Sequence, residues 1–241
     1  MQYAVLSDVH ANIEALKAVL QDVEGRKIRN IVFLGDAVGY GPDPNECVEL
    51  LKERCNIILA GNHDWGVVGQ TDITYFNEYA RTAIEWTKGV LTKKNLKSLQ
   101  SFPIQGEIEE EDMFLVHSTP KEPSQWHYLL TLWDAEINFN YFNNKYCFLG
   151  HSHYPFIIER LPSGELVTYK EKAFKGQTER YITNVGSVGQ PRDGDPRASY
   201  AVVDDENLEI VRVPYDVGAV QNKMRKAGLP SLLIERLSVG R

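Results

Sequence analysis

The chain has 241 residues, 43% of them hydrophobic and 24% charged, and 26 lysines and arginines stand against 33 aspartates and glutamates for a formal net charge of −7. This length and composition predict one domain, residues 1–241, with a substantial core; no run approaches the roughly 18 apolar residues of a membrane span, and no lysine and arginine run interleaves with aromatics, which excludes a broad nucleic-acid-binding surface. The opening residues carry no secretory pattern, so a cytoplasmic location is expected, and Cys47, Cys55 and Cys147 lack the paired spacing of a disulfide framework or thiolate metal site and read as free thiols.

The first half alternates strand and helix. Tyr3 to Leu6 is a β-rich run, after which Ile13, Leu16, Val19, Leu20 and Val23 recur at helical spacing, with Asn12 as N-cap and Gly25 just past the end. Ile31 to Leu34 predicts the second strand; Gly39-Tyr40-Gly41-Pro42 follows, and Asp43-Pro44-Asn45-Glu46 offers an N-cap, a proline at the first helical position and a capping-box acid for a helix reaching about Arg54. Ile57 to Leu59 completes a β-α-β-α-β pattern, for which a mainly parallel sheet is the expected solution.

Residues 65–112 break this rhythm with helical segments at Tyr75 to Lys88 and Asn95 to Gln100, and read as a cap insertion near the site. Strand-like runs then fall at Met113 to Val116 and Tyr146 to Leu149, followed by 156–161, 165–171, 180–184, 198–203 and 208–213, which suggest a second, more antiparallel sheet. In the tail, Asp216 is placed to cap a helix from Val217 to Lys226, and Pro230 to open another.

Five of the six histidines lie in short polar segments directly after the apolar runs: Asp8-Val9-His10, Gly61-Asn62-His63-Asp64, His117 and Gly150-His151-Ser152-His153, with Gly35-Asp36 among them. The loops should converge on one edge as a two-metal hydrolytic site, in which paired ions lower the pKa of a shared water and clamp phosphoryl oxygens. Asp36 is central among the segments and is read as the bridging ligand; in Asp8-Val9-His10 the alternation of an extended chain would put both side chains on one side, and His151 and His153 repeat the spacing. Imidazoles, carboxylates and the Asn62 amide, without a thiolate, suit two divalent ions of Mn, Fe, Co, Ni or Zn, manganese first.

These blocks, in this order, make the chain resemble the calcineurin-like metallophosphoesterase superfamily over residues 7–153, and Asn184 to Tyr200 resembles its bacterial and archaeal small-phosphodiesterase branch. The resemblance implies an α/β fold, a four-layer α/β/β/α sandwich with two mixed sheets. Matched motif by motif, it implies that Asp8, His10, Asp36 and His153 hold one metal, that Asp36, Asn62, His117 and His151 hold the other, and that His63 is the acid near the leaving group. The segment Gly35-Asp36-Ala37-Val38-Gly39-Tyr40-Gly41 departs from the protein-phosphatase and dinucleoside-polyphosphatase branches: it has no phosphate-binding arginine and no aspartate to orient His63.

Arg192 and Arg197 are candidates for the missing phosphate contact, with salt bridges to Asp193 or Asp195 as the competing reading. Trp126, His127 and Tyr128 could stack on a nucleobase, against a packing role, and Gly186-Ser187-Val188-Gly189 reads as a tight turn rather than a phosphate loop. The expected activity is hydrolysis of a small phosphodiester, nucleotide-derived esters included, by a metal-bridging hydroxide. The alternatives are a phosphomonoesterase, acting on small molecules or proteins, and a non-catalytic metal-binding scaffold for protein partners.

Overall fold

The computed structural model describes residues 2–174 and 179–241. The first sheet grows from β1 (Tyr3–Leu6), β2 (Asn30–Phe33) and β3 (Ile57–Ile58), which run parallel. On the other side of β1 it continues through antiparallel pairings with β11 (Ala198–Val203), then β12 (Asn207–Val213) and β9 (Lys172–Phe174). The second sheet has the order β4 (Gln105–Ile108), β5 (Met113–Val116), β6 (Tyr146–Leu149), β10 (Arg180–Asn184), β7 (Phe156–Arg160) and β8 (Leu166–Tyr169), with β5, β6 and β10 parallel.

The central strands β1, β2, β5, β6, β10 and β11 are apolar on both faces because both faces are covered. Val5 of β1 and Val32 of β2 meet Leu115, Phe148 and Tyr181 of the second sheet in the central core. Their neighbours Ala4, Leu6 and Phe33 point outward to Leu16, Val19 and Leu20 of α1 (Ile13–Gly25) and Val48 and Leu51 of α2 (Pro44–Arg54). On the far side, Phe114, Cys147 and Ile182 of the second sheet pack on Ala135 of α6 (Leu132–Asn138) and on Phe139 and Phe142. The layers are therefore α/β/β/α, two mixed six-stranded sheets between helices, as expected from the resemblance.

Several local expectations are corrected. Asn12 caps α1 by accepting from the Ala15 N–H, but the helix includes Gly25 and ends at Arg26. Asp43 precedes α2 without capping it; its carboxylate is drawn instead to Lys223 at 2.9 Å, which also holds Glu14 at 2.6 Å and so ties α7 (Val217–Lys226) to α1. The run 165–171 is cut at Lys170-Glu171, where the chain leaves the second sheet as β8 and enters the first as β9. β11 and β12 join the first sheet rather than the second, and β4, with only Ile108 buried, gave no apolar signal.

Residues 65–112 add to both a helical layer and a sheet. α4 (Glu78–Val90) and α5 (Lys93–Ser101) bury Ile84 and Leu99 in the same helical layer as α1 and α2, and β4 extends the second sheet. Within this segment the stretch from Gln70 to Asn77, with Ala80, lines the cleft at the candidate site. In the tail, Asp216 accepts from the Ala219 N–H at the start of α7, and Pro230 precedes α8 (Ser231–Glu235). Among the described residues no helix is long and apolar enough to cross a membrane, and all three cysteines are unpaired.

Candidate metal centre

The loops after the parallel strands of both sheets are laced together by backbone hydrogen bonds. Asp8 and His10 donate to the carbonyls of Gly35 and Asp36 at 2.9 Å each, Gly150 donates to His117 at 2.9 Å, and Val188 and Gly189 donate to Ser7 and Asp8 at 3.0 and 2.9 Å. The Gly186 to Gly189 segment thus props the Asp8 loop. Asp8, His10, Asp36, Tyr40, His151 and His153 have φ between 48° and 64°. Non-glycine residues in this left-handed region cost of order 1–3 kcal/mol each and persist where surrounding contacts over-determine them. Asp8 and His10 therefore face the same point through successive left-handed turns, not through the alternation of an extended strand.

Asp64 is the residue whose role the sequence concealed. It stands in the Asn62-His63 segment, is fully buried, and accepts the backbone N–H groups of Asp36, Ala37, Val38 and Gly61 at 2.8 to 3.3 Å. It locks the Asp36 loop against the entrance to α3 (Asn62–Val68). Gly61 permits this approach, since a Cβ there would lie 2.1 Å from Asp36 Oδ1. An acid three residues into a helix was the available signal, and a capping role its ordinary meaning.

The structure brings Asp8, His10, Asp36, Asn62, His63, His117, His151 and His153 together, all buried. Ligand atoms of Asp8, His10 and His153 fall within 4.8 Å of one another, as do those of Asp36, His117 and His151, and those of His10, Asp36 and His63. His10 Nε2 and His153 Nε2 are 3.0 Å apart, the separation of two nitrogens each about 2 Å from a common ion. Asp36 Oδ2 lies 3.6 Å from His10 Nε2 and 3.4 Å from His117 Nε2, between the two groups.

The donor set fits divalent metals. Asp8 Oδ1, Asn62 Oδ1 and both His117 nitrogens are buried without a hydrogen-bond partner, which is costly unless something else satisfies them. The other imidazoles are anchored from behind: His10 Nδ1 faces the Val38 carbonyl at 3.2 Å, His153 Nδ1 the Gln190 carbonyl at 2.6 Å, and His151 Nε2 the Trp126 carbonyl at 2.9 Å. A carbonyl accepting from one ring nitrogen fixes the tautomer and leaves the other nitrogen free to ligate.

The electrostatics point the same way. Burial pushes Asp8 and Asp36 up, but surrounding imidazoles, His153 and His117 for Asp8 and His117 and His63 for Asp36, outweigh it and hold both carboxyls well below their usual range. Burial lowers His117, yet Asp36 and Asp8 raise it to about 9, while burial takes His151 down to about 4 and, with Arg192, His153 down to about 3. The carboxylates are thus ionised and His151 and His153 neutral, the protonation states of metal ligands. His117 carries the compensating proton, which a bound cation would displace.

What orients His63 is packing. Its ring lies 4.4 Å from that of Tyr40, 4.7 Å from His10 and 5.3 Å from Phe76, centroid to centroid. A Cβ at Gly39 would meet His63 Nδ1 at 2.4 Å, so the backbone of Gly39 lies against the imidazole, whose Nδ1 has no polar partner. Burial pushes its pKa well below the ordinary histidine value. His63 lines a cleft of about 790 Å³ that opens beside the cluster between Tyr75, Phe76 and Asn77 on one side and Trp126 and Tyr128 on the other.

The remaining candidates separate. Arg192 donates to the Tyr40 hydroxyl at 3.3 Å and faces the Tyr128 hydroxyl, at the edge of the site. Arg197 is not brought there; it is half exposed and doubly bonded to Asp195, and Asp193 pairs with Arg212. His127 is likewise outside, 53% exposed and 3.5 Å from Glu122. Tyr128 stacks on His151, rings 4.2 Å apart and 14° from parallel, and Trp126 turns its carbonyl to the same histidine.

Residues 1–207 match the calcineurin-like phosphoesterase superfamily domain. An uncharacterized protein of Methanocaldococcus jannaschii, MJ0912, is 44% identical over 99% of this chain and 98% of its own length. A metallophosphoesterase from Sphaerobacter thermophilus, 41% identical, superposes with a TM-score of 0.87 over 100% of this chain and 99% of that one. The hypothetical protein PH1004 from Pyrococcus horikoshii shares the fold at a TM-score of 0.80 and 20% identity, over 100% of this chain and 98% of that one. With strand-end loops that gather aspartates and histidines from both sheets, and relatives that match from end to end, the chain belongs to the calcineurin-like phosphoesterase superfamily.

Proposed function

We propose that residues 1–241 act as one metal-dependent phosphodiesterase unit on a small, nucleotide-derived ester. The observation that carries the reading is the set of orphaned, buried ligand atoms on Asp8, Asn62 and His117 beside a histidine that lines a large cleft. Asp8, His10, Asp36 and His153 would hold one ion and Asp36, Asn62, His117 and His151 a second, with manganese the first choice and Fe, Ni, Co or Zn compatible with the same donors. When bound, two such ions supply an activated water and neutralise charge on phosphoryl oxygens.

The chain's own groups complete the chemistry. Asp64 holds the Asp36 carboxylate in register, and the carbonyls of Val38, Gln190 and Trp126 fix the tautomers of His10, His153 and His151. His63 faces the leaving-group side. The negative charge of a bound ester would draw a proton onto this otherwise neutral imidazole, which then passes it to the departing oxygen. Tyr75, Phe76, Trp126 and Tyr128 offer aromatic surface, and Gln70, Asn77 and Gln125 amide groups, suited to the alcohol portion of a nucleotide ester. The unpaired thiols support a cytoplasmic setting.

The test is hydrolysis of paired chromogenic phosphate mono- and diesters by metal-stripped protein resupplied with Mn, Ni, Co, Zn or Mg. Diester turnover that needs metal and falls about 10²-fold or more in His63→Ala is the expected result. Faster monoester turnover would replace the substrate class, and no turnover with two ions bound would favour a binding scaffold.

A further inference from the structure

Tyr40 occupies a residue of the Asp36 loop two places beyond Val38 and has two kinds of neighbour. Its ring meets the imidazoles of His63 and His10, with ring centroids at 4.4 and 4.6 Å. Two guanidiniums also lie over it: Arg236 Cζ is 4.7 Å and Arg192 Cζ 5.8 Å from the ring centre. Arg236 comes from the short helical turn Arg236–Ser238 that follows α8, 44 residues beyond Arg192, and no sequence motif links them.

Two cations are held here with little to balance them. Among the described residues, neither Arg192 nor Arg236 has a carboxylate partner. Both bond the neutral side-chain oxygen of Gln190, Arg192 at 3.4 Å and Arg236 through a short contact. The Nε of each is buried without a hydrogen-bond partner. Burial and the neighbouring Arg192 lower the Arg236 pKa to about 10, which still leaves Arg236 charged at neutral pH. In a chain of net charge −7, a half-buried like-charge pair with two buried, unsatisfied Nε donors and no acid beside it is suited to bind an anion.

The pair is also fastened to the metal centre. The Gln190 backbone carbonyl accepts from His153 Nδ1 at 2.6 Å while its side chain holds both arginines, and the Arg192 N–H donates to the His153 carbonyl at 3.2 Å. Guanidinium forks match phosphate oxygens in geometry as well as charge. We propose that Arg192 and Arg236 form an anion site for a second phosphoryl group of the substrate, one tyrosine ring away from the phosphate that is cleaved. This rests on the phosphodiesterase reading and narrows it to esters that carry a further phosphate.

The experiment is calorimetric titration of the full chain, metal-stripped, with inorganic pyrophosphate and with orthophosphate, for wild type, Arg236→Gln, Arg192→Gln and Arg236→Lys. Wild type should bind pyrophosphate, and each glutamine variant should bind it at least about tenfold more weakly, the loss expected for charge-assisted hydrogen bonds. Arg236→Lys should recover part of the loss, and Arg197→Ala, remote from the pair, none should be seen; thermal unfolding confirms that each variant folds. Equal binding by wild type and both glutamine variants would overturn the anion site, while metal-dependent diester turnover could still stand. Arginine-dependent pyrophosphate binding by a chain that hydrolyses no ester would overturn the role assigned to that anion as part of a substrate.

Discussion

The histidine and aspartate cluster and the cleft beside it are built by different means. Each cluster residue sits within a few positions of a strand end, and its place follows from the two sheets and their loop hydrogen bonds. The cleft draws on segments far apart in the chain, Gln70 to Asn77 and Ser124 to Tyr128, and Arg192 and Arg236 lie against Tyr40 of its lining. The cluster is buried and held in costly left-handed backbone, whereas Tyr75 and Tyr128 of the cleft are 90% and 50% exposed. The proposed chemistry thus falls to the buried part, and the proposed selection among substrates to the part that can vary without disturbing it.

The comparison can be broken most forcefully at Asp36. If its carboxylate serves both ligand groups, Asp36→Asn should lower metal content at both positions and reduce turnover by more than about 10³-fold, with the circular dichroism spectrum unchanged; loss of one ion only would remove it from the bridging place. A smaller effect is expected at Asp64, which touches no candidate ligand atom but fixes the Asp36 loop through four N–H groups. Asp64→Asn should weaken metal binding about 10- to 100-fold, the usual cost of disturbing groups that orient ligands, and Asp64→Glu should not restore it because the carboxylate is fully enclosed.

In the cleft the effects should be milder and of another kind. Tyr128→Ala removes a ring stacked on His151 and facing the cleft. We expect a rise of about 3- to 10-fold in KM for an ester with an aromatic alcohol and little change in kcat, as for the loss of about 1 kcal/mol of stacking. A fall in kcat without a change in KM would place Tyr128 with the rigid cluster instead.

The smallest effect is on stability. In the metal-stripped chain His117 is raised to about 9 by Asp36 and Asp8 despite burial, so its protonation contributes stability that is fully present below about pH 6.5 and is lost as pH rises through 9. Asp64, raised by burial and Asp36 to about 7, adds to the loss in the lower part of the same window. The apo protein should therefore lose a few °C of Tm between pH 6.5 and 9. The metal-loaded protein should not, because the ion replaces the His117 proton. Parallel curves for both forms would contradict the link between His117 and metal.

The same division explains how much was readable in the sequence. The central strands, unlike β4, announced themselves as doubly buried apolar runs, and the ligands as short motifs directly after them, because both depend on local register. The switch of the chain between sheets at Lys170-Glu171 did not, because a β-prone stretch has the same pattern whichever sheet it joins. Arg197 and Arg192 looked alike as neighbours of aspartates; only the fold gives Arg197 its Asp195 partner and leaves Arg192 against Tyr40. Arg236 had no local signal, since its position depends on how the C-terminal helices Val217–Lys226 and Ser231–Glu235 pack beside Tyr40.

The most direct measurement is a titration of the metal-stripped chain with manganese in which bound ions per chain and hydrolysis of a chromogenic diester are read from the same samples. Two ions per chain, with turnover rising to its plateau as the second binds, is the predicted result. Saturation at a single ion, or two bound ions with no turnover of any phosphate ester, would contradict a two-metal phosphoesterase.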